Sequence, residues 1–168
     1  MLTQILRCLA LGALACGLSL VLTPLARWFM RRIGAVDQPD SRRVNKVPIP
    51  RGGGLAVVAS CFLALGVGLW LWPDVLAASP FFAVLPAFAV SSAILVGVGF
   101  VDDRFGVPPI LKLGAQIVAA GILCWAGARL TLPAAWGDWA HAAWVYVPLT
   151  LAWYIGVVNA FNLIDGLD

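Results

Sequence analysis

FFAVLPAFAVSSAILVGVGFVDDRFG, residues 81–106, decides how the chain is built. From Phe81 to Phe100 no residue is charged, and the run matches the roughly 20 residues that a membrane-spanning helix needs. It then gives way to two adjacent aspartates and an arginine. Four other stretches are apolar on a comparable scale: Leu6 to Met30, Leu55 to Trp72, Ile110 to Ala128 and Ala142 to Phe161. Pro73 and Asp74 cut the second of them short. The first exceeds the 7–15 residues of a signal-peptide core and reads as a retained helix. Composition agrees, because the chain is 62% hydrophobic, 11% charged and free of Glu, whereas soluble domains carry roughly 25% charged residues. The expected fold is therefore all-α: a polytopic membrane protein of about five transmembrane helices. Residues 1–168 read as a single transmembrane domain without repeats or a separate soluble part.

Cys8, Cys16, Cys61 and Cys124 all lie within apolar stretches and have no ligand-type neighbours at metal-binding spacing. They read as packing residues rather than as a disulfide or zinc framework. Of the 11 basic residues, Arg27, Arg31, Arg32, Arg42, Arg43, Lys46 and Arg51 lie in or beside the first loop. The positive-inside rule then puts that loop in the cytoplasm and the N-terminus outside. Counting spans forward, the segment after Asp102 and the C-terminal end are cytoplasmic, while Trp72 to Pro80 and Arg129 to His141 are external. Trp70, Trp72, Trp136, Trp139 and Trp144 fall on the external side as an interfacial belt would, with His141 among them. The net charge of +3 is concentrated in one loop, so no nucleic-acid partner is expected. Helix faces rich in Gly and Ala permit homo-oligomers without requiring them.

This topology gathers three polar segments on the cytoplasmic face. In VDDRFG the paired carboxylates stay ionised most easily beside a cation or in water. Helix neighbours point about 100° apart, so Asp102 and Asp103 can hold different jobs. One could meet Mg²⁺, a hard cation suited to oxygen donors, while the other holds Arg104, a lysine or a substrate proton. The plainer reading is a solvated turn broken by Gly106, Pro108 and Pro109. In PIPRGGG, the backbone N–H groups of Gly52, Gly53 and Gly54 can approach an anion closely, and Arg51 supplies a fork suited to phosphate. Arg42, Arg43 and Lys46 add potential that gathers a nucleotide or an anionic lipid headgroup. The plainer reading there is a hinge flanked by topology-setting charge.

NAFNLIDGLD, residues 159–168, spaces Asn159, Asn162, Asp165 and Asp168 by three. Successive members touch on a helix, yet each step turns about 300°, so the first and last end about 180° apart. Sharing one face would need a tightening toward 3₁₀ geometry or a break, for which Gly166 is the candidate. Polar groups at a membrane helix end favour a polar cavity, hence a site; a solvated helix cap is the alternative.

PIPRGGGL, VDDRFG with KLGAQ after it, and NAFNLIDGLD, in that order, together resemble the polyprenyl-phosphate N-acetylhexosamine-1-phosphate transferases. These are the superfamily of the MraY, WecA and WbpL types, and the PRGGG form is nearer the WecA and WbpL side. The resemblance covers nearly all of the chain. It implies transfer of an N-acetylhexosamine-1-phosphate, or a related amino-sugar-1-phosphate, from a UDP-sugar to undecaprenyl phosphate. UMP is released and a cell-envelope glycan such as lipopolysaccharide is begun. It implies Mg²⁺, or Mn²⁺ in its place, and a site on the cytoplasmic face of the bacterial inner membrane. Asp102 and Asp103 match the family's Asp pair, with Asp102 orienting or deprotonating the lipid phosphate and Asp103 at the metal. Asn162 matches an amide of the metal site, and Asp165 and Asp168 match the acidic positions that place nucleotide and metal. Lys46, Arg51, Gly52, Gly53, Gly54 and Asn159 fall to substrate binding. Many relatives carry His where this chain has Asn45. Members have about ten spans, so the sequence reads as the N-terminal half of the domain, ending inside the last motif. Alternatives are a non-catalytic membrane piece or pseudo-enzyme, and an ion or lipid transporter. A transporter would need ionisable groups near the bilayer midplane, where these spans have almost none.

Overall fold

A computed structural model of the protein describes residues 2–37, 48–50, 52–73 and 79–165. Five long helices dominate: α1 (Leu2–Ile33), α2 (Gly53–Leu71), α3 (Pro80–Phe105), α4 (Pro109–Trp125) and α5 (Ala143–Asp165). Two-residue strands, β1 (Val36–Asp37) and β2 (Ile49–Pro50), pair antiparallel with Val36 opposite Pro50. Short 3₁₀ turns at Ala134–Trp136 and Asp138–His141 lead into α5. The chain is thus an all-α, multi-pass membrane protein carrying one minimal β ladder that the sequence patterning did not announce.

α1, α2, α3 and α5 are long and apolar enough to cross a bilayer. The fourth apolar stretch is shorter than its sequence suggested. α4 has 17 residues, about 26 Å of helix against about 30 Å of hydrocarbon. It stops at Trp125 because Gly127, at φ 99°, turns the chain away. Gly106, at φ 74°, ends α3 in the same left-handed manner.

The chain divides into two compact units. One comprises residues 1–82 and 99–105, the other residues 83–98 and 106–168, so α3 contributes to both. In the first unit α2 packs on α1 through small groups. Ala56, Ser60, Ala64 and Gly68 are all buried at intervals of four, and Ala26 and Met30 are buried on α1. Small residues let helix backbones approach closely, which is how helices associate when lipid is as apolar as their own side chains. Large apolar groups point the other way: Leu20 and Trp70 remain mostly exposed. The Arg7 guanidinium lies 5.5 Å from the Trp72 ring centroid, tying the start of α1 to the end of α2.

In the second unit α4 and α5 run antiparallel, and polar side chains register them. Leu130 N–H donates to Thr150 Oγ1 at 3.0 Å, and the Tyr154 hydroxyl donates to the Ala128 carbonyl at 3.2 Å. Ser91 Oγ donates to the Ala119 carbonyl at 2.9 Å, joining the middle of α3 to α4. Trp136 and Trp139 stack at 6.3 Å, and Arg129 covers the Tyr146 ring at 4.6 Å. His141 closes the second 3₁₀ turn and is exposed.

Candidate functional site

Asp102 and Asp103 do not lie in a turn. α3 continues through them to Phe105, so they occupy its last turn, and both are half-buried. Each interacts with neighbouring groups. Acidic side chains at this end of a helix face the negative pole of the helix dipole, at a cost of about 0.3–1 kcal/mol each. Such a placement rewards a bound cation. The Arg104 guanidinium stands over the Phe105 ring at 5.2 Å.

The glycine triplet separates into two kinds of position. Gly52 caps α2 at φ 87°, ψ 20°, and its carbonyl accepts from Leu55 N–H at 3.1 Å. A Cβ there would collide with the end of Met30 and come within 2.9 Å of its Cγ. Met30 is 1% exposed, so Gly52 is demanded by the fold. Gly53 and Gly54 open the helix, are exposed and have nothing within 4 Å of an added Cβ. No side chain caps this helix start. Its first N–H groups are therefore of the kind that can receive an anion.

In the other unit, Asn159 and Asn162 lie on α5, which stays α-helical to Asp165. Both residues are exposed. Asn159, Asn162 and Asp165 therefore follow one another around an arc of about 120°. The break awaited at Gly166 lies outside the described residues, as do Lys46, Arg51, Asp168 and the side chain of Asp165. Asn159 Nδ2 donates to Gln116 Oε1 on α4 and to the Ile155 carbonyl, each at 2.8 Å.

Gln116 was not singled out by the motif reading. It lies in KLGAQ and is 8% exposed on a face shared with Ala119, Ala120 and Cys124. Its signal was available, because an amide within an apolar membrane helix needs a polar partner. Among the described residues, no group of three His, Cys, Asp or Glu converges as a ready-made metal cage. The donors carried by the motifs are carboxylate and amide oxygens, and Mg²⁺ ordinarily takes one or two carboxylates and fills its shell with water and phosphate. In donor chemistry the residues fit that ion.

The model of a family described as glycosyl transferase family 4 matches residues 85–168. The chain is 33% identical over 184 residues to the decaprenyl-phosphate N-acetylglucosaminephosphotransferase of Mycobacterium tuberculosis (strain CDC 1551 / Oshkosh), covering 97% of this chain and 41% of that one. A probable undecaprenyl-phosphate N-acetylglucosaminyl 1-phosphate transferase of Bacillus subtilis (strain 168) is 32% identical over 153 residues, covering 89% and 40%. The undecaprenyl-phosphate alpha-N-acetylglucosaminyl 1-phosphate transferase of Escherichia coli (strain K12) is 31% identical over 148 residues, covering 85% and 37%. No solved structure matches. The chain spans about two fifths of the length of these relatives. On the family match and this chain-long similarity, the protein belongs to glycosyl transferase family 4.

Proposed function

We propose that the protein containing this chain transfers an N-acetylhexosamine-1-phosphate from a UDP-sugar to a polyprenyl phosphate at the cytoplasmic face of a bacterial inner membrane, beginning a cell-envelope glycan. One observation carries the reading. The family match includes the stretch in which α3 delivers two half-buried carboxylates to its final turn. The relatives are named as polyprenyl-phosphate N-acetylglucosamine phosphotransferases, which supports the reaction class. A UDP-linked donor and N-acetylglucosamine as its sugar are the forms we propose for this chain.

The reaction forms a bond between a lipid-phosphate oxygen and the β-phosphorus of the UDP-sugar, and UMP leaves with the electrons of the broken P–O bond. Such transfer needs positioning and charge neutralisation more than covalent help from the protein. Mg²⁺ supplies, when bound, neutralisation of the diphosphate. Asp102 receives the proton of the lipid phosphate or fixes that group for attack. By the family resemblance Asp103 and Asn162 are each residues that would hold the metal, and Asp165 and Asp168 would help to place nucleotide and metal. Gly53 and Gly54 offer backbone N–H groups to phosphate oxygens, and Lys46 and Arg51 draw the nucleotide in. Asn159 faces the substrate.

The described acidic residues do not favour a transport path. Asp37 lies in β1, Asp102 and Asp103 in a terminal helical turn, Asp138 in a short connecting turn and Asp165 at the end of α5, none of them at mid-span. Membranes containing the full-length protein should release UMP from a UDP-N-acetylhexosamine only when polyprenyl phosphate and Mg²⁺ are both present. Chelation with EDTA should stop release and added Mg²⁺ restore it. Asp103→Asn should lower turnover at least a hundredfold, as loss of a metal or charge-stabilising group does. Full turnover by that variant would remove the catalytic assignment.

A further inference from the structure

The contacts of Asn159 determine which end of its amide is offered to a ligand. A peptide carbonyl only accepts, so the Asn159 atom 2.8 Å from the Ile155 oxygen is the nitrogen. That same nitrogen lies 2.8 Å from the Gln116 amide, which therefore turns its oxygen toward it. The two N–H groups of Asn159 are both committed, and its remaining polar atom is Oδ1, an acceptor. Gln116 is well placed to enforce this choice. It is 8% exposed, and a small cavity of about 30 Å³ beside it is lined by Gln116, Ala119, Tyr154 and Val158 among others. Turning this buried amide over would set its N–H group against the Asn159 N–H and lose the hydrogen bond.

We propose that Gln116 is a positioning residue that holds the Asn159 amide so that Oδ1 meets an electropositive ligand group. That group is a divalent cation or an N–H or O–H of the sugar, and a bare phosphate oxygen is excluded because it needs a donor. The inference rests on the transfer reaction proposed above and refines the role of Asn159 within it. Asn159 belongs with the cation or sugar contacts, whereas the phosphates fall to the glycine N–H groups and the basic loop.

The test uses full-length protein in membranes and three substitutions of Gln116. Gln116→Met keeps the length and removes the acceptor, Gln116→Asn keeps the amide and loses the reach, and Gln116→Glu keeps an acceptor oxygen in place. Met and Asn should each lower turnover about tenfold to a hundredfold, the usual effect of removing a partner that orients a ligand. Glu should recover most of that loss. In an Asn159→Ala background, Gln116→Met should have no further effect on rate, because its influence runs through Asn159. The loss should appear as a raised half-saturating Mg²⁺ concentration if the ligand is the cation, or as a raised KM for the UDP-sugar if it is the sugar. An equal loss in the Asn159→Ala background overturns the proposal, and so does a change confined to the KM for polyprenyl phosphate. Thermal midpoints of the same four-member cycle read the pair without catalysis, and additive shifts there also overturn it. A wild-type protein inactive in transfer would instead refute the proposed reaction, leaving the thermal cycle to judge the hydrogen-bonded pair.

Discussion

Gly52→Ala separates what the glycine triplet does for the fold from what it does for a ligand. Two costs arise at this position. An L-residue held at φ 87° is strained by about 1–2 kcal/mol. The new Cβ also meets Met30, with Cγ at 2.9 Å and Sδ at 3.1 Å, and overpacking of this kind costs about 1–3 kcal/mol. Met30 is flexible at its end, which favours the lower part of that range, but it is 1% exposed and has little room to retreat. The expected loss is about 2–3 kcal/mol. Gly53→Ala and Gly54→Ala meet neither cost and should be neutral or stabilise α2 by up to about 1 kcal/mol. Unfolding of the purified protein by SDS in mixed micelles, followed by circular dichroism, gives the three values. Repeating Gly52→Ala in a Met30→Ala background should leave only the backbone strain, about 1–2 kcal/mol. If Gly52→Ala costs no more than Gly53→Ala, or costs the same with and without Met30, the reasoning fails. A Gly54→Ala protein that is fully stable but needs markedly more UDP-sugar for turnover would give that glycine its role in binding phosphate.

Thr150 is fully buried and accepts the Leu130 N–H. Thr150→Val, which keeps the shape, should cost about 1–3 kcal/mol by leaving that donor unpaired, and Thr150→Ser should keep most of the stability in the same SDS titration. Ser91→Ala removes a donor to a carbonyl within α4 without stranding an N–H, so its cost should be nearer 0.6 kcal/mol; a loss as large as that of Thr150→Val would contradict the distinction. The charge asymmetry predicts that a cysteine at Val107, in a cysteine-free background, reacts with an impermeant maleimide only when the cytoplasmic face is open. A cysteine at Asp138 should react in intact spheroplasts. The reverse pattern would invert the proposed topology and separate the motifs from a cytoplasmic nucleotide sugar.

Helix existence was legible because hydrophobic run length is a property of contiguous residues. The ends were less so, as α3 shows. With breakers at Gly106, Pro108 and Pro109, the aspartates could be read as helical or as part of a solvated turn, and it is Gly106, with positive φ, that ends the helix after them. Of the two readings the helical one holds, and it puts both carboxylates on the final turn of a helix, where their electrostatic setting differs from that of a solvated turn. Asn159 and Asn162 were readable from their spacing, since neighbours on a helix are set by local geometry.

The contacts that give these residues their roles join distant parts of the sequence. Met30 stands beneath Gly52, and Gln116 receives Asn159, yet neither pairing leaves a mark in composition or periodicity. In a soluble protein a buried Gln would stand out against a core of large apolar residues. Here the buried faces are made of Ala, Ser and Gly while the large side chains point outward, so burial and hydrophobicity no longer run together. A polar residue on a small-residue face is then the informative exception. It needs a partner: Ser60 finds one within α2 at the Ala56 carbonyl, whereas Gln116 beside Ala119 and Ala120 finds one on the neighbouring helix in Asn159. The same rule reads Ser91 against the Ala119 carbonyl and Thr150 against Leu130 N–H. Of these three tethers, the one from Gln116 ends on a motif residue, which is why its loss should be felt in turnover while the other two should be felt in stability alone.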